Sequence, residues 1–180
     1  LLVALYENHP INIDIPGTKE TIAKITPELL YSLYNTFYTP SNMFLSLAGD
    51  FDEDKVIELV EKIIDPVKKE KGKAIFKEEA DIPYKNEITQ IMQVAKPLYA
   101  LGYKLKPELS LKEVLSLELL VKMLIGDASP LYKKLMDNEL IDDDFGGELM
   151  YGRGYSTGIF EGAGENPQLI RDEIIKEIER

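Results

Sequence analysis

From Leu111 to Ile125 the chain reads LKEVLSLELLVKMLI, apolar on nearly every side of a helix. Only Lys112, Glu113, Ser116, Glu118 and Lys122 interrupt it. A helix of that kind has to be enclosed, because a half-exposed helix carries its apolar residues on one stripe. Ser110 and Glu113 form a capping box at its start: the serine oxygen takes the third helical N–H while the glutamate reaches back. Gly126 is placed to end it as a C-terminal glycine commonly does. The spacing therefore predicts the most buried helix of the molecule, and Leu120→Ala is expected to cost about 2–5 kcal/mol.

The segments around it say what encloses it. Residues 87–94 and 98–105 read as paired strands about Lys96-Pro97, and 145–151 with 155–162 as a glycine-rich hairpin. Ser129-Pro130 opens a short helix to about Asn138, and Asn166-Pro167 opens the last one. Adjacent strand pairs with helices grouped between them predict an α+β fold, an antiparallel sheet covered by helices.

The first third has its own punctuation. Thr18 and Thr26 are N-cap types ahead of helices over 18–24 and 26–38, and Pro27 suits the first helical position. Leu29, Leu30, Leu33, Tyr34 and Phe37 form an apolar stripe. Pro40 blocks continuation, and Met43–Ala48 reads as a short buried strand. Asp52 caps a helix over 53–64, with Glu53 and Asp54 favoured by the dipole of its first turn. Lys68–Pro83 is charged and punctuated by Pro and Gly, which sets a linker at 68–86.

Net charge is −11. A chain that acidic is repelled by nucleic acid and by anionic membrane surfaces. No apolar run approaches the roughly 20 residues of a membrane span. The basic run Lys68–Lys73 reads as a solvated connector. With no cysteine, disulfides, thiol nucleophiles and Cys-type zinc sites are all excluded, and a reducing, cytoplasmic compartment is the expected setting. The chain opens at Leu1 within LLVAL and stops at Arg180 within a helical pattern. It is therefore read as a piece of a longer protein.

Candidate chemistry is sparse. Asp50 to Glu61 partly follows a calcium-loop pattern, but Lys55 stands where that loop turns sharply and requires glycine. A capped helix start explains the same carboxylates. His9 is the only histidine and has no second ligand at helical spacing, whereas zinc takes three or four N, S or O donors. It reads as structural or surface. Asp142-Asp143-Asp144 reads as a solvated turn. The glycines from 146 to 164 fit neither phosphate-binding pattern and suggest turns or close packing within a sheet. No serine sits in a nucleophile elbow. No catalytic residue, no metal ligand and no defined substrate-binding residue is assigned.

The run HPINIDIPGTKETIAKITPELLYSLYNTFYTPSNMFLSLAGD, His9 to Asp50, resembles the insulinase/pitrilysin family of zinc peptidases, which includes the mitochondrial processing peptidase. LELLVKMLIGDASPLYKKLMDNEL, Leu117 to Leu140, is similar to that family's buried helix, glycine turn and short helix. The resemblance implies the metallohydrolase fold shared with LuxS. It makes residues 1–67 the C-terminal end of a zinc-bearing domain, 68–86 a linker, and 87–180 a truncated noncatalytic partner domain. It implies zinc in the parent protein and none here, since the family's H-x-x-E-H motif needs two histidines. Peptide substrate, reached through the parent, is the implied partner.

Departures qualify this. Met136-Asp137 replaces a frequent Arg-Glu pair, and Glu139-Leu140-Ile141-Asp142 replaces a frequent Gly-Leu-x-Tyr. Substrate contacts made by Arg and Tyr at those positions in some members are absent here. NELIDDDF looks closer to a bacterial subgroup of zinc peptidases, often encoded as paired subunits.

Three readings follow: a noncatalytic segment shaping a peptide cavity, a pseudo-peptidase subunit acting by pairing, and a free-standing interaction domain. The first is adopted. Leu1–Leu5 and the last helix's stripe (Leu169, Ile170, Ile174, Ile178) are expected to be exposed assembly surfaces. They would bind the catalytic portion, a paired subunit or a second copy of the chain.

Overall fold

A computed structural model describes residues 1–64 and 75–180. The chain divides into two compact units, Leu1–Asp14 with Phe76–Arg180, and Ile15–Ile75. Residues 1–14 thus pack with the later part of the chain rather than with the segment that follows them. Of the expected linker, 68–74 lies outside the described residues, including the whole basic run Lys68–Lys73. Residues 76–86 belong to the first unit.

That unit contains α1 (Leu2–Leu5), β1 (Leu98–Lys104), α5 (Leu111–Ile125), α6 (Pro130–Asp137), β2 (Gly146–Gly152), β3 (Tyr155–Ala163) and α7 (Pro167–Ile178). The three strands form one antiparallel sheet in the order β1-β3-β2. β3 is central, paired from Leu98↔Ala163 to Lys104↔Thr157 on one side and from Gly146↔Glu161 to Gly152↔Tyr155 on the other. The α+β architecture is the one expected.

Side chains alternate across the pleat, so each face has its own partners. On one face Tyr99, Leu101, Tyr103 and Phe160 meet Leu124 and Ile125 of α5, Leu131 and Leu135 of α6, and Ile170 and Ile174 of α7. On the other, Gly102 pairs with buried Ile159. A Cβ on Gly102 would lie 2.7 Å from Leu5 Cδ1 and 2.8 Å from Leu1 Cδ1, so glycine here admits α1 onto the sheet.

Helix starts follow the expected caps. Ser110 and Glu113 close their box at 2.9 and 3.4 Å. Ser129 Oγ accepts from Leu131 and Tyr132 N–H. Gly126 has an ordinary extended backbone (φ −68°) rather than a left-handed one. Glycine is required there by proximity, since a Cβ would come within 2.5 Å of the Lys122 carbonyl oxygen.

The second unit holds α2 (Lys19–Ile22), α3 (Pro27–Phe37) and α4 (Glu53–Ile63), capped by Thr18, Thr26 and Asp52 as the sequence indicates. None of the three helices has a buried residue, and the stripe Leu29, Leu30, Leu33, Tyr34 and Phe37 is exposed.

Four expectations are corrected. α5 is not the most buried helix: Val114, Leu124 and Ile125 are inside, while Leu115 is 56% and Leu119 59% exposed. Leu120 is itself 38% exposed. A narrow three-stranded sheet covers only one side of α5, and the deepest helical residues are Leu135, Ile170 and Ile174. Neither Met43–Ala48 nor 87–94 joins a ladder among the described residues. β1 takes its partner from β3 far downstream, and strand-like alternation identifies propensity without specifying a partner. The two expected assembly surfaces fold inward in their central parts, because Ala4 and Leu5 pack on the sheet while Ile170 and Ile174 enter the core. Leu169 and Ile178 remain exposed.

Candidate functional site

The densest polar cluster lies beside α1, on the sheet face opposite the main core. Lys104 ends β1 with its side chain 4% exposed, next to Glu79 at 10%. Its ammonium donates to Glu79 Oε1 at 3.1 Å, to the Leu5 carbonyl at 3.0 Å and to the Ile82 carbonyl at 3.2 Å. It also stands 4.6 Å from the centre of the Tyr6 ring, a cation–π contact.

Glu79 in turn accepts the backbone N–H groups of Glu7 (3.1 Å), Asn8 (2.8 Å) and His9 (2.9 Å). Burial pushes its carboxyl up. The Asn8 and Glu7 N–H groups, the Lys104 ammonium and the His9 N–H outweigh that and lower it to about 2. Tyr6 is almost wholly buried, and its hydroxyl donates to the Ser156 carbonyl at 2.9 Å. That commitment makes Thr157 the donor in the 2.5 Å contact between their oxygens. Burial raises the Tyr6 phenol despite both hydrogen bonds.

His9 is buried and structural. Its Nδ1 accepts from Ile11 N–H at 3.1 Å, and Nε2 faces the Arg153 carbonyl at 3.0 Å, which makes Nε2 the protonated nitrogen. The ring stacks on Phe76 at 4.9 Å and tilts against Tyr155 at 5.2 Å. Gly154, with φ +80°, brings the hairpin turn against it. Both ring nitrogens are occupied by the chain itself.

The acidic segments are equally local. Asp52 Oδ1 accepts from Lys55 N–H as the cap of α4. Asp142 accepts from Lys96 Nζ and from Asp144 N–H, each at 3.3 Å, which closes a turn. Among the described residues no group of three or more His, Cys, Asp or Glu side chains is placed to hold a metal. Among them, too, no helix is long and apolar enough to cross a membrane.

Where the family pattern was seen to depart, the structure shows a packing role. Met136 and Leu140 pack against the core and Ile141 is buried. Close approach requires one glycine of the hairpin in particular: a Cβ on Gly147 would meet Ile125 Cδ1 at 2.7 Å. Sequence reading missed the Lys104–Glu79 pair, since Glu79 stood in an apparent linker and no spacing rule joins it to a strand lysine.

Residues 24–180 match the family described as the peptidase M16 inactive domain. The chain belongs to the M16 peptidase family. The uncharacterized zinc protease YmfH of Bacillus subtilis (strain 168) is 34% identical over 179 residues, covering 94% of this chain and 42% of that protein. Zinc protease PqqE of Helicobacter pylori (strain ATCC 700392 / 26695) is 27% identical over 178 residues, 96% of this chain and 40% of that protein.

Among solved structures, an M16-like peptidase from Alicyclobacillus acidocaldarius superposes with a TM-score of 0.77 at 29% identity, over 98% of this chain and 43% of that one. A Helicobacter pylori protease superposes with a TM-score of 0.76 at 23% identity, over 97% of this chain and 44% of that one, a likeness of fold alone. The chain spans less than half the length of these M16 relatives. The zinc in the relatives' names has no fitting donor set among the described residues, where the lone histidine is already engaged through both nitrogens.

Proposed function

We propose that the chain is a noncatalytic segment of an M16 zinc metalloendopeptidase, shaping the peptide-binding cavity for proteolysis at a zinc held elsewhere in the parent protein. The match of residues 24–180 to the M16 inactive domain carries this reading. The engagement of His9 by Ile11 and Arg153 supports it, because a catalytic zinc takes three protein ligands and an open water position. The segment's contribution is then mechanical and steric: an antiparallel sheet stiffened by α5, α6 and α7 makes a wall, and the chemistry happens at residues outside it. In this reading residues 15–67 finish the zinc-bearing domain, since residues 1–14 pack with the later part of the chain, and the setting is cytoplasmic, which the absence of cysteine suits.

Two preparations test it. The isolated chain, dialysed after exposure to zinc, is expected to retain no stoichiometric metal and to hydrolyse no peptide. The parent protein with this segment deleted is expected to keep its zinc and lose peptide hydrolysis. Zinc-dependent hydrolysis by the isolated chain, abolished by His9→Ala, would overturn the reading, as would full hydrolysis by the deleted parent. A full-length parent without stoichiometric zinc would select the paired-subunit role instead.

A further inference from the structure

Helix α5 is apolar on two opposite sides. Each residue of an α-helix advances about 100° around the axis. Val114, Leu124 and Ile125 are buried on the side turned to the sheet, where Val121 joins the core. Leu111, Leu115, Leu119 and Met123, spaced four apart, form a row on the outer side, each more than half exposed. The charged residues Glu113, Glu118 and Lys122 occupy the flanks between those two sides. A helix that turns its outer side to water carries its charges there, not on its flanks.

The polar groups of the outer side do not require water. Ser116 Oγ donates to the Lys112 carbonyl at 2.7 Å, which satisfies the hydroxyl within the helix. Lys112 borders a groove of about 400 Å³ with Leu111, Leu115, Ser116 and Leu119. Its long stem lets the ammonium reach past a covering layer. Area and charge narrow the occupant. The patch amounts to several hundred Å², the size of the largest on a typical monomer and short of the roughly 800 Å² per partner that joins separate chains stably. A second copy would also bring no carboxylate from the same row to Lys112. A tethered segment needs less area, because its effective concentration is high. This chain spans less than half the length of its M16 relatives, so the parent has such a segment to supply.

We propose that a helix from the part of the parent protein outside this chain docks on the outer side of α5. The row from Leu111 to Met123 is the ridge, four residues apart, that seats between the side chains of a facing helix. A carboxylate on that helix meets Lys112. α5 is then a middle layer, with the sheet on one side and the docked helix on the other. That position accounts for a sequence more apolar than a three-stranded sheet can enclose. The inference rests on the reading of this chain as a segment of a longer M16 protein, and on nothing about zinc or hydrolysis.

Leu119→Cys tests it, with Leu115→Cys as a second variant, since both sites are exposed and the chain has no cysteine of its own. Maleimide labelling is followed by mass spectrometry of the α5 peptide, in this chain alone and in the full parent protein. Each rate is divided by the rate of the same protein in urea. The expected result is fast labelling of the chain alone at every dilution, and labelling at least about tenfold slower in the parent. Equal rates in the two would overturn the proposal, because the face would then be open, as a wall lining a peptide cavity is. Slow labelling of the chain alone would overturn it as well. A slowing that vanishes on dilution assigns the face to a second copy, and one that persists assigns it to residues of this chain. Zinc content and hydrolysis do not enter the readout. A parent that holds no zinc yet protects both cysteines therefore overturns the peptidase reading and upholds the docked helix.

Discussion

Leu140 donates its N–H to the Leu135 carbonyl at 3.0 Å, and the chain between them turns through Glu139 in a left-handed conformation, φ 56°. With Glu139 N–H donating to the Met136 carbonyl at 2.9 Å, this is a Schellman ending to α6. Its left-handed residue is usually glycine, and here it is a glutamate, whose Cβ crowds the following carbonyl. Glu139→Gly is therefore expected to stabilise the chain by about 0.5–1 kcal/mol, after the extra chain entropy of glycine offsets part of the relieved strain. A denaturant titration checks it. Destabilisation would mean that the Glu139 side chain makes a compensating contact.

Acid should weaken the clasp at Glu79. Its folded carboxyl is lowered to about 2, below the ordinary glutamate value of 4.5. A depressed carboxyl contributes stability that is fully present above its unfolded value and is lost as pH falls through the folded one. The loss is expected between about pH 5 and about pH 2, on the order of 1–2 kcal/mol after allowing for residual solvent screening. In Glu79→Gln that part of the pH dependence should disappear, leaving a flatter stability profile over the same interval. Urea midpoints taken across the interval measure both.

Core truncations should rank by where the sheet lies rather than by how apolar the helix looks. Leu135 and Ile174 are fully enclosed, so Leu135→Ala and Ile174→Ala are each expected to cost about 2–5 kcal/mol. Leu119→Ala, on the open side of α5, should stay within about 0.5 kcal/mol. Leu120→Ala, at the margin, falls between them. Equal costs at Leu119 and Leu135 would show that another surface covers α5 in solution.

Gly126→Ala tests the end of α5. Backbone conformation there is ordinary, so strain is not the issue. The added methyl meets the Lys122 carbonyl oxygen, the same atom that accepts Gly126 N–H at 2.9 Å. The helix end has to shift, at a cost of about 1–3 kcal/mol. Thermal melting reads it directly, and an unchanged midpoint would mean that the last turn yields freely.

Local chemistry was legible in the sequence wherever its partners lie within a few residues. Thr18, Thr26, Asp52, Ser110 and Ser129 cap their helices as their side chains and spacing indicate, because a cap needs only the next two or three N–H groups. The hairpin of β2 and β3 was legible for the same reason. A single histidine with no ligand at helical spacing already pointed to a structural role. Tertiary structure decided what depends on distance through space. It paired β1 with β3 instead of with 87–94, and it opened one side of α5. It also brought Glu79, from an apparent linker, against Lys104 and the amides of residues 7–9. A carboxylate's solvation and its neighbours set its behaviour, and a strand's partner is whichever edge the packed core presents. Neither is encoded in the spacing of nearby residues.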